Sequence, residues 1–157
     1  MSVLGSHRSE SKAEFVNTAN EIFVRTITFL SRLSARYSRL LAEKTSDLAN
    51  DLLDESEKAN SLFPDSRLKI DLRETHLREA LATLKALDVK LDKCYQILIC
   101  NPEGAFTDSK GNKLPAHKAK EKLDNMAQVV GELIDKEDTL LKGQLDFITE
   151  KRKSVRK

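Results

Sequence analysis

The stretch FLSRLSARYSRLL, residues 29–41, lies inside an amphipathic pattern that starts well before it and runs on well after it. Arg32, Arg36, Arg39 and Tyr37 fall within eight of its positions. Three readings compete: the wet face of one long helix, a corner where the chain turns back, or a contact surface for something acidic. No Gly or Pro stands in the stretch, so local propensity alone would let a helix run through it. SARYS carries two serines and marks a change from basic to acidic surface, which is a weak corner signal.

Outward from this stretch the periodicity is helical. On its N-terminal side Phe15, Ala19, Ile22, Phe23, Ile27, Leu30 and Leu33 recur at steps of four, three, one, four, three and three. Ser9 or Ser11 can cap that segment. On its C-terminal side Leu41, Thr45, Leu48, Leu52, Ser56, Ala59 and Leu62 form a second stripe. FPDS stops it, because Pro64 cannot continue a helix and Asp65 or Ser66 can cap the next one. Leu77, Leu81, Leu84, Leu87, Leu91, Cys94/Tyr95 and Leu98 make the third and strongest stripe, which ends at NPEG. Residues 101–115, NPEGAFTDSKGNKLP, are the one long irregular segment, with room for a small hairpin turning at residues 108–112. Pro115 can open a fourth helix, whose stripe includes Leu123, Met126, Val130, Leu133, Ile134, Leu145 and Ile148, and which Gly131 and Gly143 weaken without ending.

The expectation is an all-α, up-and-down four-helix bundle of one domain, with helices near 10–34, 38–62, 66–100 and 115–150 and a frayed basic tail at 151–157. An extended hairpin or coiled coil is the alternative, if the first helix runs into the second. The chain of 157 residues is long enough to bury a core. It has 33% charged residues, five glycines, three prolines and no tryptophan, as helical proteins do. No 18-residue apolar run and no signal-peptide core occur, so the expectation is a cytoplasmic protein with no membrane contact. Cys94 and Cys100, about 9 Å apart in rise along one helix, cannot pair and read as small apolar fillers.

Charge is uneven although the net is only +2. Residues 41–62 hold six acidic and two basic groups, while the tail KRKSVRK (151–157) holds five basic ones: Lys151, Arg152, Lys153, Arg156 and Lys157. Without that tail 22 basic groups face 25 acidic ones, so attraction to nucleic acid has to come from local patches. On a continuous helix Arg25, Arg32, Arg36 and Arg39 fall in a band roughly 60° wide. Residues 25–41 contain no acid and four arginines with no lysine, a choice suited to bidentate contact with phosphate. The bland reading of the same band is a solvated face. Lys69, Arg73, Arg78 and Lys85 form a second basic group, interleaved with Asp71, Glu74 and Glu79, and read as solvated.

Catalytic signals are missing. His7, His76 and His117 have no partners at metal-ligand spacing, and RETHLRE lacks the second histidine of a zinc-protease motif. Asp88 and Asp92, four apart on the third helix, have the spacing to take a cation, but Lys85 and Lys93 make ordinary surface ion pairs the simpler reading. The expectation is a non-catalytic protein with no cofactor and no metal.

The order of features resembles a known family. RLSARYSRLL closes the first helix, LANDLLDESEKAN ends the second, LRETHLREALATLKALDVKL opens the third and LDNMAQVVGELIDKEDTLL forms the last. This pattern, over roughly residues 15–145, is similar to the accessory variability proteins (Avd) of diversity-generating retroelements. The resemblance implies a break near residues 34–39, which would make the opening stretch a corner bearing arginines. It implies a homopentameric barrel that binds the element's reverse transcriptase and nucleic acid, RNA template or cDNA, in mutagenic retrohoming. Arg25, Arg32, Arg36 and Arg39 would supply a basic surface, joined by the basic tail. A sibling group of bundles, encoded by insertions in large ribosomal RNA genes, shares the pattern without a polymerase role.

Overall fold

A computed structural model describes residues 13–155, and they form four helices. These are α1 (Glu14–Leu30), α2 (Ala35–Ser61), α3 (Arg67–Cys100) and α4 (Ala116–Val155), with a short 3-10 turn at Pro102–Ala105 before α4. Each helix packs on its neighbour in sequence, and α4 closes the bundle against α1. The cap candidates Ser9 and Ser11 lie outside the described residues; Ala13 is extended and α1 is helical from Glu14. None of the helices is long and apolar enough to cross a membrane, among the described residues.

The chain breaks at residues 31–34. The last turn of α1 tightens, with Arg32 N–H donating to Phe29 O at 3.1 Å and Leu33 N–H to Leu30 O at 3.1 Å. Ser34 is extended (φ −63°, ψ 158°), and Ser38 N–H returning to its carbonyl at 2.8 Å opens α2. Two forces favour this corner. Hydroxyls compete for the end of α1, where Thr28 donates to Val24 O at 3.0 Å and Ser31 to Thr28 O at 2.6 Å. Folding back then lets Phe29, Leu30 and Leu33 share a core with Thr45, Ala49 and Leu52. A continuous first helix, as in the extended-hairpin alternative, is therefore corrected, and the corner lies a few residues earlier than the resemblance implied.

Most of the anticipated stripes are buried. Fully enclosed alanines (Ala19, Ala49, Ala59, Ala80 and Ala119) let the helices approach, and Leu52, Leu77, Leu84, Leu123 and Leu141 fill the space between. Ile27 departs from expectation and stands outward, while Thr26 takes a buried place with an unpartnered hydroxyl. Ser66 caps α3, accepting from Lys69 N–H at 3.3 Å. Cys94 is buried, but Cys100 is exposed and is no filler. Residues 151–155, read from sequence as frayed, continue α4 because Arg152 pairs with Asp71 and Glu74 of α3.

Arg73 also departs from the solvated stripe. It is only 8% exposed, and its guanidinium donates to Ala59 O at 2.8 Å, Leu62 O at 3.1 Å and Gln144 Oε1 at 2.8 Å. It lies 5.9 Å from the Phe15 ring centroid. The end of α2 runs short of backbone donors: Ala59 O has Leu62 N–H at 3.2 Å, and the cation from α3 adds a second donor there and serves Leu62 O. Replacing Arg73 with Met keeps the stem but strips these bonds, and is expected to cost about 3 kcal/mol in urea unfolding.

Glu137 is fully buried on α4, one turn from Ile134 and from Leu141, and neither carboxylate oxygen has a hydrogen-bond partner. Burial, only partly opposed by Lys136, pushes its pKa up from 4.5 to about 8. The folded state thus keeps a proton that the unfolded chain loses above about pH 4.5. Stability from this group is full below that pH, falls as pH rises, and is gone above about 8. Across that window the loss is on the order of 5 kcal/mol. Glu137→Gln is expected to match the parent near pH 5 and exceed it in stability at pH 8 and above. Urea melts of both chains from pH 5 to 9 give the difference directly.

Candidate nucleic-acid interface

The corner between α1 and α2 and the loop before α4 meet at one end of the bundle. Phe106 joins them. Its ring is buried, with the Arg32 guanidinium carbon 4.5 Å from its centroid and Lys122 Nζ 5.4 Å away. Two cations against one aromatic ring set an α1–α2 corner residue beside the early turns of α4. Around Phe106 the loop makes the rudiment of the anticipated hairpin, a single antiparallel bridge between Thr107 and Lys113. Asp108 Oδ1 accepts from Lys110 N–H and Asn112 N–H, both at 2.9 Å, and Gly111 takes φ +83°, where a side chain would be strained. Leu114 N–H donates to Phe106 O at 3.2 Å. Lys110 and Lys113 are left exposed at the tip.

Two helix N-termini open at this end. The first turn of α2 carries Arg36, both it and Arg39 are exposed, and they line a shallow depression with Ala35 and Leu40. Neither arginine has an ion-pair partner among the described residues. Ser34 makes no side-chain cap, and the first turn holds no acid. Cations beside the positive end of a helix dipole cost about 0.3–1 kcal/mol each. α4 repeats the pattern, with no acid in its first turn and Lys118, Lys120 and Lys122 following. Residues 31–44 and 101–124 together carry nine Lys or Arg and five Asp or Glu. The other described residues carry 14 and 19, so the bundle has a basic pole on an acidic body.

The residues expected from sequence do not form one surface. The break in the helix dissolves the four-arginine stripe. Arg25 stays on α1, 4.0 Å from Glu21, beside Thr28, Met126 and Val129. Arg32 is half-buried over Phe106, with its Nε enclosed and unpartnered. Only Arg36 and Arg39 face solvent freely at the pole. Residues 151–155 of the tail sit at the far end of α4, whose 40 residues span about 60 Å. There Arg152 is taken up by Asp71 and Glu74, Lys153 pairs with Glu150 at 3.0 Å, and Lys151 lies 5.5 Å from the Phe147 ring centroid. Arg156 and Lys157 lie outside the described residues.

Sequence reasoning missed Lys110, Lys113, Lys118, Lys120 and Lys122. SKGNK and HKAKEK were visible as basic clusters, yet they stand some 70 residues from the arginines and nothing local joins them. His76 is tied to Glu55 of α2, Nδ1 to Oε2 at 2.6 Å, His117 is exposed, and His7 lies outside the described residues. The chain matches no protein-family profile, no curated protein and no solved structure.

Phe106 is the hinge pin of this pole. Phe106→Leu keeps an apolar anchor but removes the ring that meets two cations, and is expected to cost about 1–2 kcal/mol. Trypsin should then cut at Lys110 and Lys113 faster than in the parent, which limited proteolysis with mass analysis would show.

Proposed function

We propose that this chain is a non-catalytic accessory protein that oligomerises and binds nucleic acid through its basic pole, in the service of a reverse transcriptase of a diversity-generating retroelement in the cytoplasm. The observation that carries the nucleic-acid part is the pole itself: Arg36 and Arg39, unpaired, beside an uncapped helix N-terminus with no acid in its first turn. Such a local conflict is relieved when an anion supplies the missing negative charge. Lysines of the loop and of α4 widen the basic area enough to follow a phosphate backbone. The polymerase partner and the pentameric assembly rest on the resemblance to accessory variability proteins. Val24, Ile27 and Val129, exposed on α1 and α4, support self-association.

Binding to a fluorescent single-stranded RNA, read by anisotropy against salt, tests the phosphate contact. Arg36→Glu with Arg39→Glu is expected to weaken binding at low salt and to flatten the log–log salt slope by roughly 1.4, two contacts at about 0.7 each. Lys151→Glu with Lys153→Glu, at the opposite pole, should leave both unchanged. Equal loss from the two pairs would mean a diffuse charge effect and no defined interface. Recovery of a reverse transcriptase with the protein from its native cells, surviving nuclease, tests the polymerase role. Recovery of neither polymerase nor RNA would favour the structural bundle of the ribosomal-RNA-insertion kind.

A further inference from the structure

A second site of opposite sign lies between α3 and α4, next to the basic pole, with Phe29 and the Tyr95–Asp124 contact at the side that borders it. Its cavity of about 280 Å³ reaches down to the core residues Phe29, Leu91, Val130 and Ile134. It exists because α4 presents Ala127 and Gly131 there; a β-carbon added at Gly131 would meet nothing within 4 Å. Asp88 and Asp92 of α3 stand at its mouth. The Tyr95 ring lines it too, with its hydroxyl hydrogen-bonded to Asp124 of α4.

The surface ion pairs expected for these aspartates are largely absent. Lys93 only reaches 4.0 Å from Asp92, and among the described residues no cation pairs with Asp88 or with Asp135. Burial, with Asp135 and Asp92 nearby, raises the Asp88 pKa. No three metal-ligating side chains come together here, among the described residues, so a bare metal ion is poorly served. The combination of an apolar shaft, an aromatic wall and paired negative charge at the mouth suits a side chain with an aliphatic stem and a cationic head. The volume is just below the range of about 300–1,000 Å³ that holds drug-sized ligands, as one inserted side chain requires.

We infer that the α3–α4 cavity is a docking site for an arginine side chain from a basic segment of a partner protein, its stem over Leu91 and Val130 and its guanidinium between Asp88 and Asp92. Charge complementarity selects the occupant. Arginine satisfies two carboxylates at once through its planar fork, which an ammonium does less well. None of its lining residues is an arginine or lysine of the anion-binding pole, so one protein has separate groups for nucleic acid and for a basic protein.

The test is a titration of the ¹⁵N-labelled full chain with the capped tripeptide Gly-Arg-Gly, followed by amide shifts. Saturable shifts are expected at Asp88, Asp92 and Gly131. The citrulline tripeptide, isosteric and neutral, should bind at least about fivefold more weakly. Asp88→Asn with Asp92→Asn, both exposed positions, should reduce arginine binding to the citrulline level. Gly131→Leu should fill the shaft and abolish it, with far-UV circular dichroism confirming that both variants fold. Equal binding of arginine and citrulline peptides, unchanged binding in Gly131→Leu, or no saturable shift would overturn the assignment. Spermidine binding as well as the peptide does at these amides would also overturn it, since the pocket would then select a free polyamine over a protein side chain.

Discussion

Arg73 is the contact on which the bundle's geometry depends. It belongs to α3, takes up the last carbonyls of α2, bonds Gln144 of α4 and lies against Phe15 of α1. A single buried cation thus touches all four helices at one end. A charge in the interior is costly unless hydrogen bonds replace its water, and here three acceptors serve the two terminal nitrogens while Nε stays enclosed and unpartnered. The same requirement fixes the register of α3: sliding it by one turn would take the guanidinium from Ala59 O, Leu62 O and Gln144 together. The apolar stripes alone would tolerate such slips far better, because leucines at adjacent turns are nearly interchangeable.

The two ends of the bundle are managed differently. At the Arg73 end charges are consumed internally, with Arg152 on Asp71 and Glu74 and Lys69 on Asp65 at 3.1 Å. At the Phe106 end the cations face outward, two helix N-termini lack acidic first turns, and Arg32 and Lys122 both lie against the Phe106 ring. Between them, Glu137 places an unpartnered carboxyl in the core. Local conflicts of this kind reduce stability, and chains retain them where something other than stability is served.

Much of this fold was legible in the residues. Leu77, Leu84, Leu87, Leu91 and Leu98 declared the face of α3, Pro64 and Pro115 marked boundaries, and Ser66 was visible as a cap. What misled was the assumption that a polar residue belongs to its stripe. Arg73 was grouped with Lys69 and Arg78, and Glu137 was not singled out, because sequence shows the periodicity of a charge but not which neighbouring helix closes over it. The corner at residues 31–34 had no Gly or Pro to announce it; burial of Leu33 and Ala49 on a common core decided it.

By itself, then, the sequence determined four amphipathic helices, their order and the irregular loop between the last two, since 3.6-residue periodicity and proline placement are local properties. Only the tertiary structure decided where charge collects. It parted Arg25 from Arg36 and Arg39, sent residues 151–155 to the opposite end of a helix about 60 Å long, and brought Lys122 to Arg32 across Phe106. Surface fields sum over distance in space and ignore distance along the chain, so a pole built from two segments some 70 residues apart exists only once the helices have folded back.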